Sequence, residues 1–283
     1  MRILITNDGS DTAVNVLPHA VRLAEALRVE AVLLRVLNPF VHVSSVVALT
    51  RAEAVTRVAK AWDEELQRIA AGTGHDLRTR VESMQQREEL VDTVLRVAGE
   101  EDAGLIAMDS RGAGALRHTL VGSLTTSVVS RGRMPVMVTG RNVAPPSTDP
   151  CRLMITTDGS VASIDIIEAL RPLLEGTEVA ITLTFACKPE AGSATVGESR
   201  PEWAWLEKIK AMLPEGLDVK TVAAPIRGTE KPATTILRVA EEEGVGAIAM
   251  STRGHSAARH VFAGSVAMAV LGHSPVPTIF ARR

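Results

Sequence analysis

The 283-residue chain contains no tyrosine, four phenylalanines and three tryptophans. It therefore lacks the aromatic platforms on which nucleic-acid-binding proteins stack bases. A net charge of −2 and a pI near 6.4 remove the electrostatic footprint for nucleic acid as well. Two cysteines, Cys151 and Cys187, cannot build a disulfide framework or a zinc site and read as small apolar fillers. The apolar runs are too short to cross a bilayer, so no membrane span is expected. No basic segment followed by a long apolar stretch precedes the first strand-like run, which points to the cytoplasm. The composition, 46% hydrophobic and 23% charged, is that of a soluble globular protein.

What is present is a repeat. Residues 111–123 read RGAGALRHTLVGS and residues 253–265 read RGHSAARHVFAGS. Arg111, Gly112, Ala115, Arg117, His118, Gly122 and Ser123 recur as Arg253, Gly254, Ala257, Arg259, His260, Gly264 and Ser265. One unit has been used twice, and a chain of this length accommodates two cores. The expected division is residues 1–140, a Pro-rich linker RNVAPPSTDP at 141–150, and residues 151–283.

Each half reads strand, helix, strand, helix, strand, helix, strand, glycine loop, helix, strand. The first half has apolar runs at Arg2 to Thr6, Ala31 to Leu37, Leu77 to Met84, Leu105 to Met108 and Pro135 to Thr139. Amphipathic spacing lies between them, with Ala54, Val55, Val58, Trp62, Leu66 and Ile69 on one helical face. Pro18 must kink the first helix or start a new segment. In the second half the strands fall at Leu153 to Thr156, Val179 to Phe185, Leu217 to Val222, Ala247 to Met250 and Val276 to Phe280. A crossover after every strand implies an α/β fold of two tandem, open, parallel five-stranded sheets with helices on both faces. The departure is Lys188 to Pro201, rich in Gly, Ser, Pro and Glu, which reads as a mobile loop over the mouth of the second site.

In such sheets ligands bind beyond the carboxyl ends of the strands, where the winding reverses. An order that starts in the middle with the first strand brings the Asp8 loop to the Gly112 loop, and the Asp158 loop to the Gly254 loop. Backbone N–H groups of a glycine loop at a helix N-terminus suit phosphate oxygens, and Ser123 and Ser265 add hydroxyl donors. The plainer reading is that Gly122-Ser123 and Gly264-Ser265 start and cap a helix, and that Asp8 and Asp158 are N-caps. Neither a Walker lysine, a G-x-G-x-x-G after the first strand, a G-x-S-x-G elbow nor H-E-x-x-H occurs. His118 and His260 read as solvated or capping side chains, with an acid/base role as the alternative.

These residues resemble the universal stress protein family in its tandem two-domain form. The resemblance rests on Asp8-Gly9-Ser10 and Asp158-Gly159-Ser160 after the first strand of each half, and on a glycine, nine residues, then Gly-Ser, at Gly112/Gly122-Ser123 and Gly254/Gly264-Ser265. It implies a Rossmann-like (HUP-type) topology, pairing of the two domains within the chain, a homodimer as a further assembly, and a regulatory partner protein. For the ATP-binding branch it implies Asp8 and Val36 at the adenosine, and Gly112, Gly122, Ser123 and Leu124 at the phosphates. The second-half counterparts are Asp158, Gly254, Gly264, Ser265 and Val266, while that of Val36 is ambiguous because ITLTFA aligns in two registers. The implied ligand is ATP, with Mg²⁺ as its companion, and the implied role is a stress-response module. A nucleotide-free scaffold dimerising through its last strands and a slow ATP-hydrolysing or nucleotidyl-transfer enzyme are the rivals. The chain departs from the family loop at its first glycine, which is Asp109 in one copy and Ser251 in the other.

Overall fold

A computed structural model describes residues 1–10, 13–43, 50–110, 121–146, 151–189, 196–197, 199–252 and 264–281. The first half runs β1 (Arg2–Thr6), α1 (Leu17–Leu27), β2 (Glu30–Leu37), α2 (Arg51–Gly72), β3 (Leu77–Ser83), α3 (Leu90–Glu100), β4 (Ala103–Asp109), α4 (Ser123–Arg131) and β5 (Val136–Thr139). The second runs β6 (Arg152–Thr157), a 3₁₀ turn (Val161–Ile164), α5 (Asp165–Leu174), β7 (Ala180–Cys187), α6 (Pro201–Lys210), β8 (Val219–Pro225), α7 (Pro232–Glu242), β9 (Ala247–Ser251), α8 (Ser265–His273) and β10 (Thr278–Ala281).

Local chemistry accounts for most boundaries. Pro18 starts α1 rather than kinking it, since a missing N–H costs nothing in the first turn. Thr50 and Glu53 form a reciprocal capping box at the head of α2, with Thr50 N–H donating to Glu53 Oε2 at 2.9 Å. Arg80 on the edge strand β3 bridges Glu82, Glu100 and Glu101, giving that exposed edge a charged border that discourages pairing with another chain.

Within each half all strands are parallel and β1 or β6 lies between its second and fourth strands, the order expected from the sequence. The two halves then join. β5 pairs antiparallel with β10, so the sheet is continuous over ten strands in the order β3-β2-β1-β4-β5-β10-β9-β6-β7-β8. The strand alternation sends Ile3, Ile5, Leu153 and Ile155 to the face covered by α1, α2, α5 and α6, and Leu4 and Met154 to the face covered by α3, α4, α7 and α8. Each of these cores spans both halves. At the junction Ala144 N–H donates to Pro275 O at 2.9 Å and the Asn142 amide to Gly272 O at 2.9 Å. Gly140 lies so close to α8 that a Cβ there would collide with the Leu271 carbonyl oxygen.

Cys187 ends β7 inside the core and Cys151 is half-buried; both are free thiols, and burial pushes both up from the ordinary thiol range. Among the described residues no helix is long and apolar enough to cross a membrane. Half of the stretch 188–201, residues 190–195 and 198, lies outside the described residues, and with it the expectation of a mobile loop over the second site.

Candidate functional site

At the carboxyl ends of β1, β2 and β4 the first half holds a cavity of about 540 Å³. Six residues singled out in the sequence line it: Asp8, Val36, Asp109, Gly122, Ser123 and Leu124. They come from three strand ends and the head of α4, brought together because β1 separates β2 from β4 and the crossovers reverse there. Gly112, Gly254, His118 and His260 lie outside the described residues.

The Asp8 loop contains an Asx turn. Asp8 Oδ1 accepts from Ser10 N–H at 3.0 Å and from Ser10 Oγ at 2.6 Å, and Gly9 at φ +81° takes the left-handed conformation that the turn demands. Asp158 repeats these bonds with Ser160 at 3.0 and 2.6 Å. The N-cap reading of both aspartates is therefore corrected. α1 begins nine residues after Asp8, with Val16 at its cap, and the 3₁₀ turn is capped by Ser160, whose side chain accepts from Ser163 N–H. An Asx turn spends the carboxylate on its own loop and leaves the helix start to a later residue.

At the other end of the cavity Gly122 is the N-cap of α4 in an extended conformation, with no side-chain cap, and its N–H is fixed by Ser110 O at 2.6 Å. Gly264 stands likewise at α8, its N–H on Thr252 O at 2.9 Å, followed by Ser265 and Val266. The glycines thus do cap their helices, with Ser123 and Ser265 as the first exposed helical residues. A glycine brings no capping side chain of its own, so among the described residues these helix starts keep N–H groups and a positive dipole end for a ligand. Asp109 is 9% exposed; its Oδ2 accepts from Thr139 Oγ1 at 3.0 Å and its backbone carbonyl from Thr125 Oγ1 at 3.0 Å. Its counterpart Ser251 turns instead to the 3₁₀ turn, donating to Ala162 O at 2.7 Å. Ser251 thereby links the two loops that flank the second crevice, whereas Asp109 faces a cavity.

The second-strand register is settled by pairing. Thr6 is level with Leu34 and Thr156 with Thr184, so the counterpart of Val36 is Ala186 and that of Arg35 is Phe185.

Sequence reasoning missed Arg35, the one charge inside the buried run of the strand EAVLLRVL, which could have signalled a buried ionic contact. It is 2% exposed, donates to Asn7 Oδ1 through Nε at 3.1 Å and through Nη2, and pairs with Glu65 at 2.8 Å. Asn7 Oδ1 also accepts from Gly9 N–H at 3.0 Å, so Arg35 holds the floor of the Asp8 turn. The hydrogen bond from Arg35 holds the Glu65 carboxyl below the usual carboxylate range. In the second half Phe185 packs under Gly159, and Trp205 Nε1–H donates to Thr157 Oγ1 at 2.8 Å. Asn38, His42, Trp62 and Met84 also line the first cavity; the spacing had placed Trp62 on an apolar helix face, and none of the four carried a local signal of ligand contact. Among the described residues no group of three His, Cys, Asp or Glu side chains is placed to hold a metal ion.

Fold and site together define a tandem, doubly wound α/β protein with a ligand-sized cavity at the switch point of its first half. The chain belongs to the universal stress protein family, whose family model matches residues 1–140 and 152–282. Among solved structures it is similar to a universal stress protein from Archaeoglobus fulgidus DSM 4304, with 18% identity and a TM-score of 0.61 over 100% of this chain and 96% of that one. A putative universal stress protein from Pseudomonas aeruginosa UCBPP-PA14 matches 99% of this chain and 92% of its own, at 14% identity and a TM-score of 0.51. A universal stress protein solved in complex with cAMP covers 49% of this chain and 96% of its own, at 20% identity and a TM-score of 0.37. No curated protein matches the sequence.

Proposed function

We propose that the chain is a cytoplasmic adenine-nucleotide-binding regulatory module of the stress response, with ATP, alone or carrying Mg²⁺, held in the first-half cavity. The observation that carries this reading is the convergence of Asp8, Val36, Gly122 and Ser123 on one cavity of about 540 Å³. That volume lies within the roughly 300–1,000 Å³ of small-molecule sites. Apolar side chains such as Val36, Leu34 and Met84 suit a base, the Asp8 carboxylate suits ribose hydroxyls, and the uncapped start of α4 suits phosphate. Two free thiols fit a reducing compartment.

The scaffold rival has less support. A scaffold dimerising through its last strands would need an edge that β5 and β10 already spend on each other. The deciding experiment is mass spectrometry of small molecules released from freshly purified protein, followed by calorimetric titration of ATP into wild type and Asp8→Ala. Released adenine nucleotide and binding weakened by Asp8→Ala are expected. Purified protein that neither carries nor binds adenine nucleotide refutes the reading.

A further inference from the structure

Residues 1–140 contain only two of the chain's seven Phe and Trp side chains, Phe40 and Trp62. Aromatic side chains ordinarily serve a domain as its largest core fillers. Here the main cores on both faces of the sheet are aliphatic in this half, and Trp62 instead packs against a small third cluster of Leu37, Val43 and Ala54 beside the carboxyl end of β2. Phe40 is 58% exposed with the Arg51 guanidinium 4.1 Å from its ring centre, and Trp62 is half-buried in the wall of the cavity.

Trp62 is held from two sides. The Arg35 guanidinium stands 5.4 Å from its ring centre, and the His42 ring meets it at 4.9 Å and 63°. His42 is oriented in turn. Asn38 N–H donates to its Nδ1 at 2.9 Å, so the neutral ring carries its proton on Nε2 and keeps one N–H donor. Asn38 and His42 follow the carboxyl end of β2, whereas Gly122 and Ser123 stand beyond β4, with β1 between. The cavity therefore has an aromatic end and a helix-terminus end. The second half lacks this arrangement: Phe185 replaces Arg35, and Trp205 spends its N–H on Thr157.

We infer that Trp62 and His42 form the wall on which the base of the bound nucleotide stacks, with His42 Nε2–H as a donor to a base ring nitrogen. The inference rests on the nucleotide reading above and makes the first site a reader of the base as well as of the phosphates. A structural role for Trp62 would act differently. Through Arg35 and Asn7 it would shift the Asp8 turn and so weaken any ligand that reaches it, with or without a base.

The test is calorimetric titration of ATP and of ribose 5-triphosphate, which lacks the base, into the full chain as wild type, Trp62→Leu, Trp62→Phe and His42→Ala. Trp62→Leu should weaken ATP about 5- to 100-fold, the range of base stacking on an aromatic side chain, while Trp62→Phe retains most of the affinity. His42→Ala should weaken ATP several-fold. Ribose 5-triphosphate should bind all four proteins equally. Equal losses for both ligands, or unchanged ATP affinity in either Trp62→Leu or His42→Ala, overturn the inference. His42 is exposed, so its variant remains decisive if Trp62→Leu does not fold. Absence of ATP binding to wild type is the separate outcome that removes the nucleotide reading itself.

Discussion

Asp109→Asn should tighten ATP binding in the first half without altering adenosine binding. Asp109 stands where the family loop has its first glycine and lines the same cavity as Gly122 and Ser123. Its carboxylate is anchored by Thr139 at 3.0 Å, and the residue is 9% exposed, so it cannot swing far from a phosphate at the head of α4. At about 6 Å and an effective dielectric of about 20, two unit charges repel by roughly 3 kcal/mol, and by about 0.7 kcal/mol in bulk water. Those limits span about 3-fold to about 100-fold in affinity per phosphate charge. The low exposure argues for at least tenfold. Asparagine keeps the shape and the bond to Thr139 while removing the charge, which makes it cleaner than glycine. The assay is calorimetry with ATP, AMP and adenosine, in chelator and in Mg²⁺. The expected gain in chelator grows from AMP to ATP and vanishes for adenosine. Unchanged ATP affinity would show that the carboxylate faces away from the phosphates. A loss confined to Mg²⁺ would show that it serves the metal instead.

Other consequences are smaller in scope. Gly264→Val should leave the fold intact, at a cost of about 1 kcal/mol for a poor N-cap, because among the described residues a Cβ there meets Thr252 O at 3.9 Å, an ordinary contact. Any nucleotide binding that calorimetry finds in the second half of the wild type should be abolished in this variant, and undiminished binding there would refute the loop assignment. Hydrolysis of ATP should stay far below the roughly 10 per second typical of enzymes; a phosphate-release assay showing ordinary turnover, lost in Asp8→Ala, contradicts the regulatory reading. Gly140→Ala should destabilise the chain by about 1–3 kcal/mol, since the junction must open to clear the Leu271 carbonyl; denaturant unfolding measures it. Hydrogen bonds from Arg96 hold the Glu88 carboxyl down to about 2. A depressed carboxylate stabilises fully above its unfolded value of about 4.3 and loses that contribution as pH falls to about 2. Arg96→Met should therefore move acid unfolding, followed by circular dichroism, to higher pH.

The sequence by itself determined the elements and their duplication. Strand runs such as RILIT, the 3.6-residue pattern around Ala54 to Ile69 and the start imposed by Pro18 are written in neighbouring residues, where sterics and periodicity act. Parallel strands followed from crossovers after every strand and Gly122-Ser123 from the spacing of the repeat, whereas the meeting of Asp8 with that loop depended on an order that starts in the middle, which the structure supplies. The family resemblance added Val36 and Leu124 to that set. What only the tertiary structure decided depends on residues distant in the chain. The antiparallel pairing of β5 with β10 sets Met137 level with Ile279, 142 residues away in the chain. Ala186 rather than a neighbour matches Val36, because a strand's register is fixed by its partner and not by its own alternation. Asp8 turned out to bond its own turn because α1 starts too far away for it to cap. Arg35, His42 and Trp62 meet only when α2 folds over the end of β2; no local pattern marks an arginine in a strand, a histidine in a loop and a tryptophan on a helix as one wall.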